Sequence, residues 1–368
     1  MKDTSINVDI EFKEKDLSFK GETTASNLST RLSGTVKGLM AKEMHLQAKG
    51  VLAEVKISDI RNTFWDIFPD SLLYVGLQGS VSSNVSVDYG KDGLEINGNL
   101  LLKDFILDGE NGEYSIGPIN GTIPIEYGKD QSEKEGTGLP SFERSQFDQL
   151  SHTYAQETVK EDLYKLTVGS FRYGFPLLEN ITLLIKQKGN IWNIERFSAN
   201  IFGGKLNGSA IIDLSNGFHY RVGLLVKGLS LRKLCDGIEP IKGFISGKVD
   251  GIASFRASGI GISQLIGMAD FWTYSTEGEK TMISKEFLQK VGGPSFKASL
   301  RNRNFNKGIL GLYLKDGHLI FKDLEISNRN FLGITDLSVK VVPLSNRIAL
   351  DHLLGTIAEA AERAKNKK

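Results

Sequence analysis

Residues 200–228 read NIFGGKLNGSAIIDLSNGFHYRVGLLVKG, and apolar residues alternate with polar ones through most of this stretch. Such alternation predicts half-buried β-strands, because successive side chains of a strand point to opposite faces of the sheet. The stretch therefore predicts two strands that share one apolar face. The apolar positions are Leu206, Ala210, Ile212 and Leu214 in the first strand, and Phe218, Tyr220, Val222, Leu224 and Val226 in the second.

The same alternation recurs along most of the chain. It covers residues 81–89, 94–102, 245–255, 295–302, 308–315, 318–327 and 334–342. Short turn signals separate neighbouring runs, such as GKDG at 90–93 and KDG at 315–317. Turns this short join antiparallel strands, so we predict a mostly β protein with a long antiparallel sheet.

Helix signals are few and short. They cover residues 58–69, 230–240, 263–272, 284–293 and 346–368. The last of these has an apolar stripe and a basic end, which is typical of an amphipathic helix. We predict that this C-terminal helix either covers the edge of the last strand or docks on an envelope protein or a membrane surface.

A polar stretch at 129–165 predicts a linker or a loose insertion, which has a weak helix signal after residue 146. It separates a first β-rich unit, residues 1–128, from a second one, residues 166–345. Residues 346–368 then form the C-terminal helix.

The two β-rich units resemble each other in sequence. Glycines recur at an offset of 170, and a strand, a short helix and a proline follow at an offset of 171. The matched pairs are Gly34 with Gly204, Gly38 with Gly208, Val55 with Val226, Ile60 with Leu231, and Pro69 with Pro240. We therefore predict a tandem repeat of one β-rich unit.

Charge and reactive residues argue against several classes of function. The chain has 45 Lys and Arg against 44 Asp and Glu, so it has no basic excess with which to bind nucleic acid. Its one cysteine, Cys235, excludes a cysteine cluster for a metal, and the five histidines are dispersed. We predict a protein that is not an enzyme, with no catalytic residues, no metal site and no cofactor.

The apolar face of the predicted sheet must be shielded from water. The predicted helices are too few to cover it, so the sheet must pack on a second sheet, close on itself or curl lengthwise into a groove. Glycines within strands mark bends or close approaches, and they favour a sheet folded along its length. The glycines predicted to lie within strands are Gly203, Gly204, Gly208, Gly243, Gly247 and Gly251.

Three motifs resemble the C-terminal module of the AsmA-like family of bacterial envelope proteins, whose members include AsmA, TamB, YhdP and YdbH. They are FGGKLNG at 202–208, a strand that ends just before a short helix near residue 230, and GFISGKVDG at 243–251 followed by GIG at 259–261. The resemblance covers about residues 190–342, and more loosely 25–125 through the repeat.

This resemblance implies a fold and a function. The family is similar to bridge-like lipid-transfer proteins, in which a curled, taco-like sheet shields phospholipid acyl chains between the inner and outer membranes. It implies a periplasmic location with a tether in the inner membrane, and this sequence contains no such tether.

We therefore predict a groove that binds a phospholipid or another acyl-chain lipid. The residues predicted to line it are Leu206, Ala210, Ile212, Phe218, Tyr220, Val222, Leu224, Val226, Ile245, Val249 and Phe255 in the second unit, and Val85, Val87, Leu94, Ile96, Leu100 and Leu102 in the first. The alternative is a ligand-free structural protein of the envelope, a β-sandwich whose side chains fill its own core.

Overall fold

A computed structural model describes residues 4–25, 27–39, 43–63, 75–109, 114–128, 142–156, 163–173, 175–237, 241–259, 261–291, 301–340, 347–352 and 355. Among these residues the protein is mostly β, as predicted, and 18 strands form one antiparallel sheet. The chain divides into two compact units. Unit 1 comprises Met1–Thr137, Val159–Phe171 and Thr182–Glu195, and unit 2 comprises Gly138–Thr158, Arg172–Ile181 and Arg196–Lys368.

Unit 1 begins with seven strands that each pair with the next one along the chain. They are β1 (Thr4–Lys13), β2 (Asp16–Ala25), β3 (Leu28–Lys37), β4 (His45–Lys56), β5 (Gly76–Gly90), β6 (Gly93–Asp108) and β7 (Tyr114–Tyr127). The predicted turn at 90–93 is confirmed, since Gly90 pairs with Gly93 across a two-residue connection.

Three strands contain residues of both units. They are β8 (Tyr164–Tyr173), β9 (Phe175–Lys188) and β10 (Ile191–Ile201).

Unit 2 continues the sheet and adds a smaller one. Its strands are β11 (Gly204–Asp213), β12 (His219–Ser230), β13 (Ile245–Ser246), β14 (Lys248–Ser258), β15 (Ile266–Tyr274), β16 (Met282–Ile283), β17 (Arg303–Asn304), β18 (Lys307–Lys315), β19 (His318–Arg329), β20 (Thr335–Lys340) and β21 (Arg347–Ala349). The large sheet runs through β11, β12, β14, β15, β18 and β19, and β19 also pairs with β20 and β21. The smaller sheet is β13, β16 and β17.

The described helices are short. They are α1 (Ile57–Thr63), α2 (Phe147–Ala155), α3 (Leu231–Asp236) and α4 (Lys285–Val291), with 3-10 turns at Arg144–Gln146 and Ile262–Gln264. Ser230 caps α3, because its hydroxyl oxygen accepts a hydrogen bond from the backbone N–H of Lys233 at 3.1 Å. Residues 64–69, 238–240 and 292–293 of the predicted helices lie outside the described residues.

The sequence predictions for residues 263–272 and 245–255 are wrong. Residues 263–272, predicted as a helix, form a 3-10 turn and most of β15, which lies between β14 and β18. The predicted strand 245–255 is broken at Gly247, whose positive φ of 132° separates β13 from β14. Hydrogen bonding to two neighbouring strands outweighs the local helix signal in the first case.

The C-terminal helix prediction is wrong at its start. Arg347–Ala349 form β21, which pairs with the beginning of β19, with His318 opposite Ala349. Helical backbone begins only at Leu350, and most of the predicted apolar stripe lies outside the described residues, as do residues 295–300 of a predicted strand.

Each unit has its own buried clusters. In unit 1, Ile57 and Ile60 of α1 pack against a cluster formed by Leu28, Val55, Val81, Leu102, Leu166 and Ile185. In unit 2, one cluster joins Phe142 and Phe147 to Leu225 and Ile252, and another joins Ile283, Leu288, Phe305 and Leu337.

Candidate functional site

The strands of unit 1 place their apolar residues in rows that cross the sheet. One row contains Phe19 of β2, Ala48 of β4, Val87 of β5 and Ile96 of β6, each opposite a residue of the neighbouring strand. We call the face that carries these rows the unit 1 apolar face. Its residues on β1–β6 include Ile6, Val8, Ile10, Phe12, Leu17, Phe19, Leu32, Val36, Leu46, Leu52, Val85, Val87, Tyr89, Leu94, Ile96 and Leu100.

Much of the unit 1 apolar face is accessible to solvent. The four apolar side chains of β1 are between 55% and 65% exposed, and Leu32 of β3 is 51% exposed. Tyr89 and Leu94 are exposed further along the same face. A contiguous row of exposed large apolar side chains is unusual on a soluble protein and is typical of a surface that binds an apolar ligand or partner.

The unit 1 apolar face is covered at one end only among the described residues. There α1 lies over the end of β4 and β5, and Val55, Val81 and Leu102 are buried together. The next row, with Leu52 and Leu100, is partly buried against this cluster. Exposure therefore increases along β5 and β6 with distance from α1, as far as Tyr89 and Leu94, and it is highest on β1.

The structure places all six predicted lining residues of the first unit on this one face. Leu102 lies within the buried cluster, Leu94 is exposed, and the other four are half-buried. Four of the most exposed apolar residues, those of β1, are missing from the predicted set. Their alternation was visible in the sequence, so the pattern could have identified them.

Some strand glycines lie beneath aromatic rings. A Cβ on Gly251 would overlap the ring of Phe271, a Cβ on Gly267 would overlap Phe255, and one on Gly34 would overlap Phe19. Each ring lies across the glycine of the adjacent strand and fills the space that a side chain would take. Gly21 and Gly50 differ, since the nearest atoms to an added Cβ lie at 3.7 and 3.9 Å.

Of the glycines predicted to lie within strands, Gly203, Gly243 and Gly247 do not. Gly203 lies in the two-residue turn between β10 and β11, and Gly243 lies in a turn before β13. Gly204, Gly208 and Gly251 are in strands, as predicted.

Unit 2 has an equivalent apolar face on β11, β12, β14 and β15. Leu206 lies opposite Val226, Ala210 opposite Val222, and Ile212 opposite Tyr220. On β14, Phe255 continues the row of Val222, and Val249 follows beyond a bulge in β12. We call this the unit 2 apolar face. Its predicted lining residues Leu206, Ala210, Val226 and Val249 are buried, and Ile212, Tyr220, Val222, Leu224 and Phe255 are half-buried.

Two predicted lining residues of unit 2 lie elsewhere. Phe218 precedes β12 and is exposed, with its ring 5.5 Å from that of Tyr220. Ile245 belongs to the smaller sheet, where it pairs with Ile283 and packs against the cluster of Ile283, Leu288 and Phe305. The break of the chain at Gly247 removes Ile245 from the face that carries Val249.

The smaller sheet closes one end of the unit 2 apolar face. Its cluster packs against Ile326 of β19 and Val339 of β20. Ile326 lies opposite Gly308, and a Cβ on Gly308 would contact the ring of Phe305. The Val249 end of the face is thus filled by the protein's own side chains.

The opposite face of unit 2 is covered by the segment that contains α2. Phe142 and Phe147 pack against Leu225 and Ile252, and the ring of Phe147 lies 4.9 Å edge-on from that of Trp272. Residues 142–155, which fall in the predicted linker, are therefore ordered and packed. Alternation in residues 200–228 predicts that the face carrying Arg221 and Lys227 is polar, but Leu225 and Ile252 are buried on it.

A half-buried carboxyl group in unit 2, that of Asp250, bonds the backbone. Asp250 accepts a hydrogen bond from the N–H of Gly228 at 2.7 Å, inside the bulge of β12, and another from the hydroxyl of Tyr274 at 3.2 Å. Burial raises the pKa of Asp250 despite these bonds. Burial and the neighbouring Asp250 raise the pKa of Tyr274 to about 12. The pair holds the bulge in place.

A polar depression lies on the opposite face of unit 1. Its volume is about 320 Å³. Its lining carries amide, hydroxyl and ammonium groups and comprises Lys49, Asn84, Ser86, Asn97, Gly98, Asn99 and Tyr164. It is separate from the apolar face because these residues alternate with Val85, Ile96 and Gly50 along the same strands.

The described residues contain no group of three or more His, Cys, Asp and Glu side chains placed to hold a metal ion. None of the helices formed by these residues has both the length and the apolar composition needed to cross a bilayer.

Comparisons with protein families, with curated proteins and with solved structures each find no match for this chain. The resemblance to the AsmA-like family therefore stays a prediction that rests on the motifs at 202–208, 243–251 and 259–261.

Proposed function

We propose that the protein binds the acyl chains of phospholipids, or of other acyl-chain lipids, on its apolar faces and shields them from water without catalysing a reaction. The observation that supports this proposal is the exposure of apolar side chains to solvent on the unit 1 apolar face. Its four β1 side chains stand more than half exposed in rows that continue across β2–β6. An acyl chain laid along these rows would cover surface that the protein leaves in contact with water.

The energetics of such binding suit transfer rather than tight capture. Each methylene removed from water contributes about 0.8 kcal/mol. Ordering of the lipid and loss of its free motion offset several kcal/mol of the total. Since apolar contact has little directional preference, a lipid could move between rows without crossing a deep energy minimum. A sheet curled lengthwise around these faces would form the groove.

The setting of the function follows from the sequence resemblance alone. On the basis of the AsmA-like motifs, we propose that the protein lies in the periplasm and bridges the inner and outer membranes of a bacterial envelope. A segment outside this sequence would tether it. An envelope protein bound at the C-terminal region would complete the path.

A ligand-free structural role is the second candidate, and unit 2 supplies the observation that favours it. Leu206, Ala210, Val226 and Val249 are buried by the protein itself, and the smaller sheet fills one end of the unit 2 apolar face. If unit 1 behaved in the same way in solution, the protein would be a structural element of the envelope.

A substitution of Leu32 tests the proposal. Native mass spectrometry of the purified protein should show bound phospholipid. Leu32→Asp places a carboxylate on the unit 1 apolar face and should reduce the bound fraction at least about tenfold, because burying an unpaired charge against acyl chains is costly. Ser33→Asp is the matched control, since Ser33 lies on the opposite face of the same strand, and it should retain the lipid.

Circular dichroism of both variants checks that the sheet is intact. Absence of lipid from the wild-type protein, or equal lipid occupancy in the Leu32→Asp variant and the wild type, would refute lipid binding on this face.

A further inference from the structure

Strand β1 has a neighbour on one side only among the strands that the structure describes. It pairs with β2 along its whole length, from Thr4 opposite Ala25 to Lys13 opposite Asp16. Its residues 5–13 are exposed on both faces of the sheet, as expected of a strand with nothing on its other side. We call this unpaired side of the strand the β1 edge.

Backbone hydrogen-bonding groups of every second residue point out from the β1 edge. Lys13 and Asp16 flank a two-residue turn, so their backbones bond each other. Residues that bond the neighbouring strand alternate along an antiparallel ladder with residues that do not. Counting back from Lys13, the residues whose N–H and C=O groups point away from β2 are Phe12, Ile10, Val8 and Ile6. A further strand could bond these groups.

The β1 edge lacks the features that usually keep edge strands from pairing. Protected edges are short or bulged, or they carry Pro or Lys. β1 is 10 residues long, contains no Pro, and keeps a single register with β2 without a bulge. Its one lysine, Lys13, is its last residue. In unit 2, by contrast, β20 and β21 are 6 and 3 residues long, and β20 shifts register against β19.

We propose that the β1 edge pairs with the β1 edge of a second copy of this chain, antiparallel about a two-fold axis at Val8. In this register Val8 lies opposite Val8 of the second copy, Ile6 lies opposite Ile10, and Asn7 lies opposite Asp9. The outward N–H and C=O groups of Ile6, Val8 and Ile10 would then bond those of the same residues in the second copy.

Charge selects this register and favours a second copy as the partner. Each acidic residue would face a neutral polar one, since Asp9 lies opposite Asn7 and Glu11 opposite Ser5. Sliding one strand by two residues toward the turn would place Asp9 opposite itself, and sliding it by four would place Asp9 opposite Glu11, which like charges disfavour. A slide of one residue would set apolar residues opposite polar ones. The strand is therefore complementary to its own reversed copy, as a two-fold interface requires.

The pairing would join the unit 1 apolar faces of two copies side by side. Residues opposite each other in an antiparallel pair point to the same face of the sheet, so the apolar rows would continue from one copy into the other. The face itself would stay open, because the contact lies at the edge. The proposal does not rest on lipid binding, and a structural protein could pair in the same way.

Sedimentation velocity of the full chain tests the pairing. The wild-type protein should show an equilibrium between monomer and dimer as its concentration rises. Val8→Pro should abolish the dimer, because both copies lose the N–H of Val8 at the centre of the contact. The bonds from β1 to β2 should survive, since this N–H points away from β2 and proline is tolerated at such a position of an edge strand.

Two substitutions of Asn7 test the register. Asn7→Asp places a carboxylate opposite Asp9 twice in each dimer and should raise the dissociation constant about fivefold, whereas Asn7→Lys should lower it. Ser33→Asp is the matched control, since it adds the same charge to the same face but on β3, and it should dimerise as the wild type does. Asn7 also lies opposite Glu22 within the chain, so circular dichroism should confirm that each variant is folded.

Leu32→Asp separates edge pairing from contact between apolar faces. Leu32 is on the apolar face of β3, away from the β1 edge, so this variant should still form the dimer. A wild-type protein that stays monomeric, a Val8→Pro dimer as stable as that of the wild type, or loss of the dimer in Leu32→Asp would each overturn the proposal.

Native mass spectrometry reports lipid independently of the dimer. Asn7→Asp should carry as much lipid as the wild type, because Asn7 lies on the polar face. A weaker dimer with lipid retained would therefore separate this proposal from lipid binding, and a stable dimer without lipid would refute lipid binding alone.

Discussion

At the scale of single residues, glycine has two different uses on the apolar faces. Gly251 and Gly267 lie under the rings of Phe271 and Phe255, so each glycine and ring together occupy one site. A Cβ on Gly50 would make only ordinary contacts, with the nearest atoms at 3.9 Å. The same residue type thus marks sites filled by a ring, at Gly251, Gly267 and Gly34, and a site with room for a methyl group at Gly50.

This difference gives a prediction about Gly251. Gly251→Ala should lower the free energy of unfolding by about 1–3 kcal/mol, because the added methyl group displaces the Phe271 ring. Gly50→Ala should leave it unchanged or raise it by about 0.5 kcal/mol, since the methyl group fits and the unfolded chain loses freedom. Urea denaturation measures both values.

A double-mutant cycle identifies the cause. The penalty of Gly251→Ala should shrink in a Phe271→Ala background, where the ring is absent. A penalty of the same size in both backgrounds would show that the strain lies in the backbone and that the ring has no part in it.

At the scale of elements, Glu279 joins three parts of unit 2. Its carboxylate accepts hydrogen bonds from the backbone N–H of Gly247, at the break between β13 and β14, and of Arg232, in the first turn of α3. Lys248 lies 3.7 Å away on β14. Burial alone would raise the pKa of Glu279, but the hydrogen bonds and Lys248 outweigh it and lower the pKa below 4.5.

The lowered pKa predicts a stability that depends on pH. Because the folded protein binds this proton less tightly than the unfolded chain, Glu279 stabilises the fold above pH 4.5, and this contribution is lost as the pH falls through the folded pKa. Glu279→Gln should cost about 2 kcal/mol at neutral pH and progressively less below pH 4.5.

Thermal unfolding of wild type and variant over this pH range provides the measurement. Glu277→Gln is the control, since Glu277 is an exposed carboxylate in the same loop. A cost that stayed constant from neutral to acid pH would mean that the charge of Glu279 is not what stabilises unit 2.

Elements were predictable from the sequence where one strand face is apolar and one is polar. The hairpins around 90–93 and 315–317 are confirmed, because alternation and turn residues agree there. Residues 263–272 were not predictable in this way, since Ile266, Met268 and Ala269 satisfy helical spacing as well as strand spacing. Only the hydrogen bonds to β14 and β18 decide between the two.

The predicted lining residues show the same limit, which is that a local sequence pattern contains no information about distant partners. Alternation correctly places Val85, Val87 and Ile96 on one face, because register preserves parity between paired strands. It could not place Ile245, since the break at Gly247 depends on the distant partner Ile283. Nor could it reveal that α2 covers Leu225, because contacts between distant segments leave no local pattern.

The repeat stays a proposal, and the structure suggests a different alignment for it. In both units a strand bulges, a short helix follows, and a later strand, β5 in unit 1 and β14 in unit 2, pairs back on the first. The bulges lie at Leu52/Val55 and at Val226/Leu229, and helices α1 and α3 begin 174 positions apart, at Ile57 and Leu231. A repeat aligned on the bulges and helices would have an offset of 174, three residues more than the offset of 171 that pairs Ile60 with Leu231.

At the scale of the whole molecule, the two candidate functions differ in what happens when lipid is absent. A structural protein would have no large apolar surface to cover. A lipid carrier stripped of lipid would expose the unit 1 apolar face, where the four apolar side chains of β1, including Val8 and Ile10 at its centre, are more than half exposed. An exposed apolar strand of this kind also promotes self-association.

Delipidated protein should therefore bind a hydrophobic fluorescent dye and scatter light as its concentration rises. The double variant Val8→Ser, Ile10→Ser should reduce both signals, because it removes apolar area from the exposed part of the face. The variant Asn7→Ser, Asp9→Ser alters the same strand on its opposite face, as the pairing of Asn7 with Glu22 shows, and should leave both signals unchanged. Added phospholipid should suppress the wild-type signals, because acyl chains compete with dye and with other protein molecules for the same rows. Equal dye binding by the two double variants would place the accessible apolar surface elsewhere and remove the unit 1 apolar face as the lipid site.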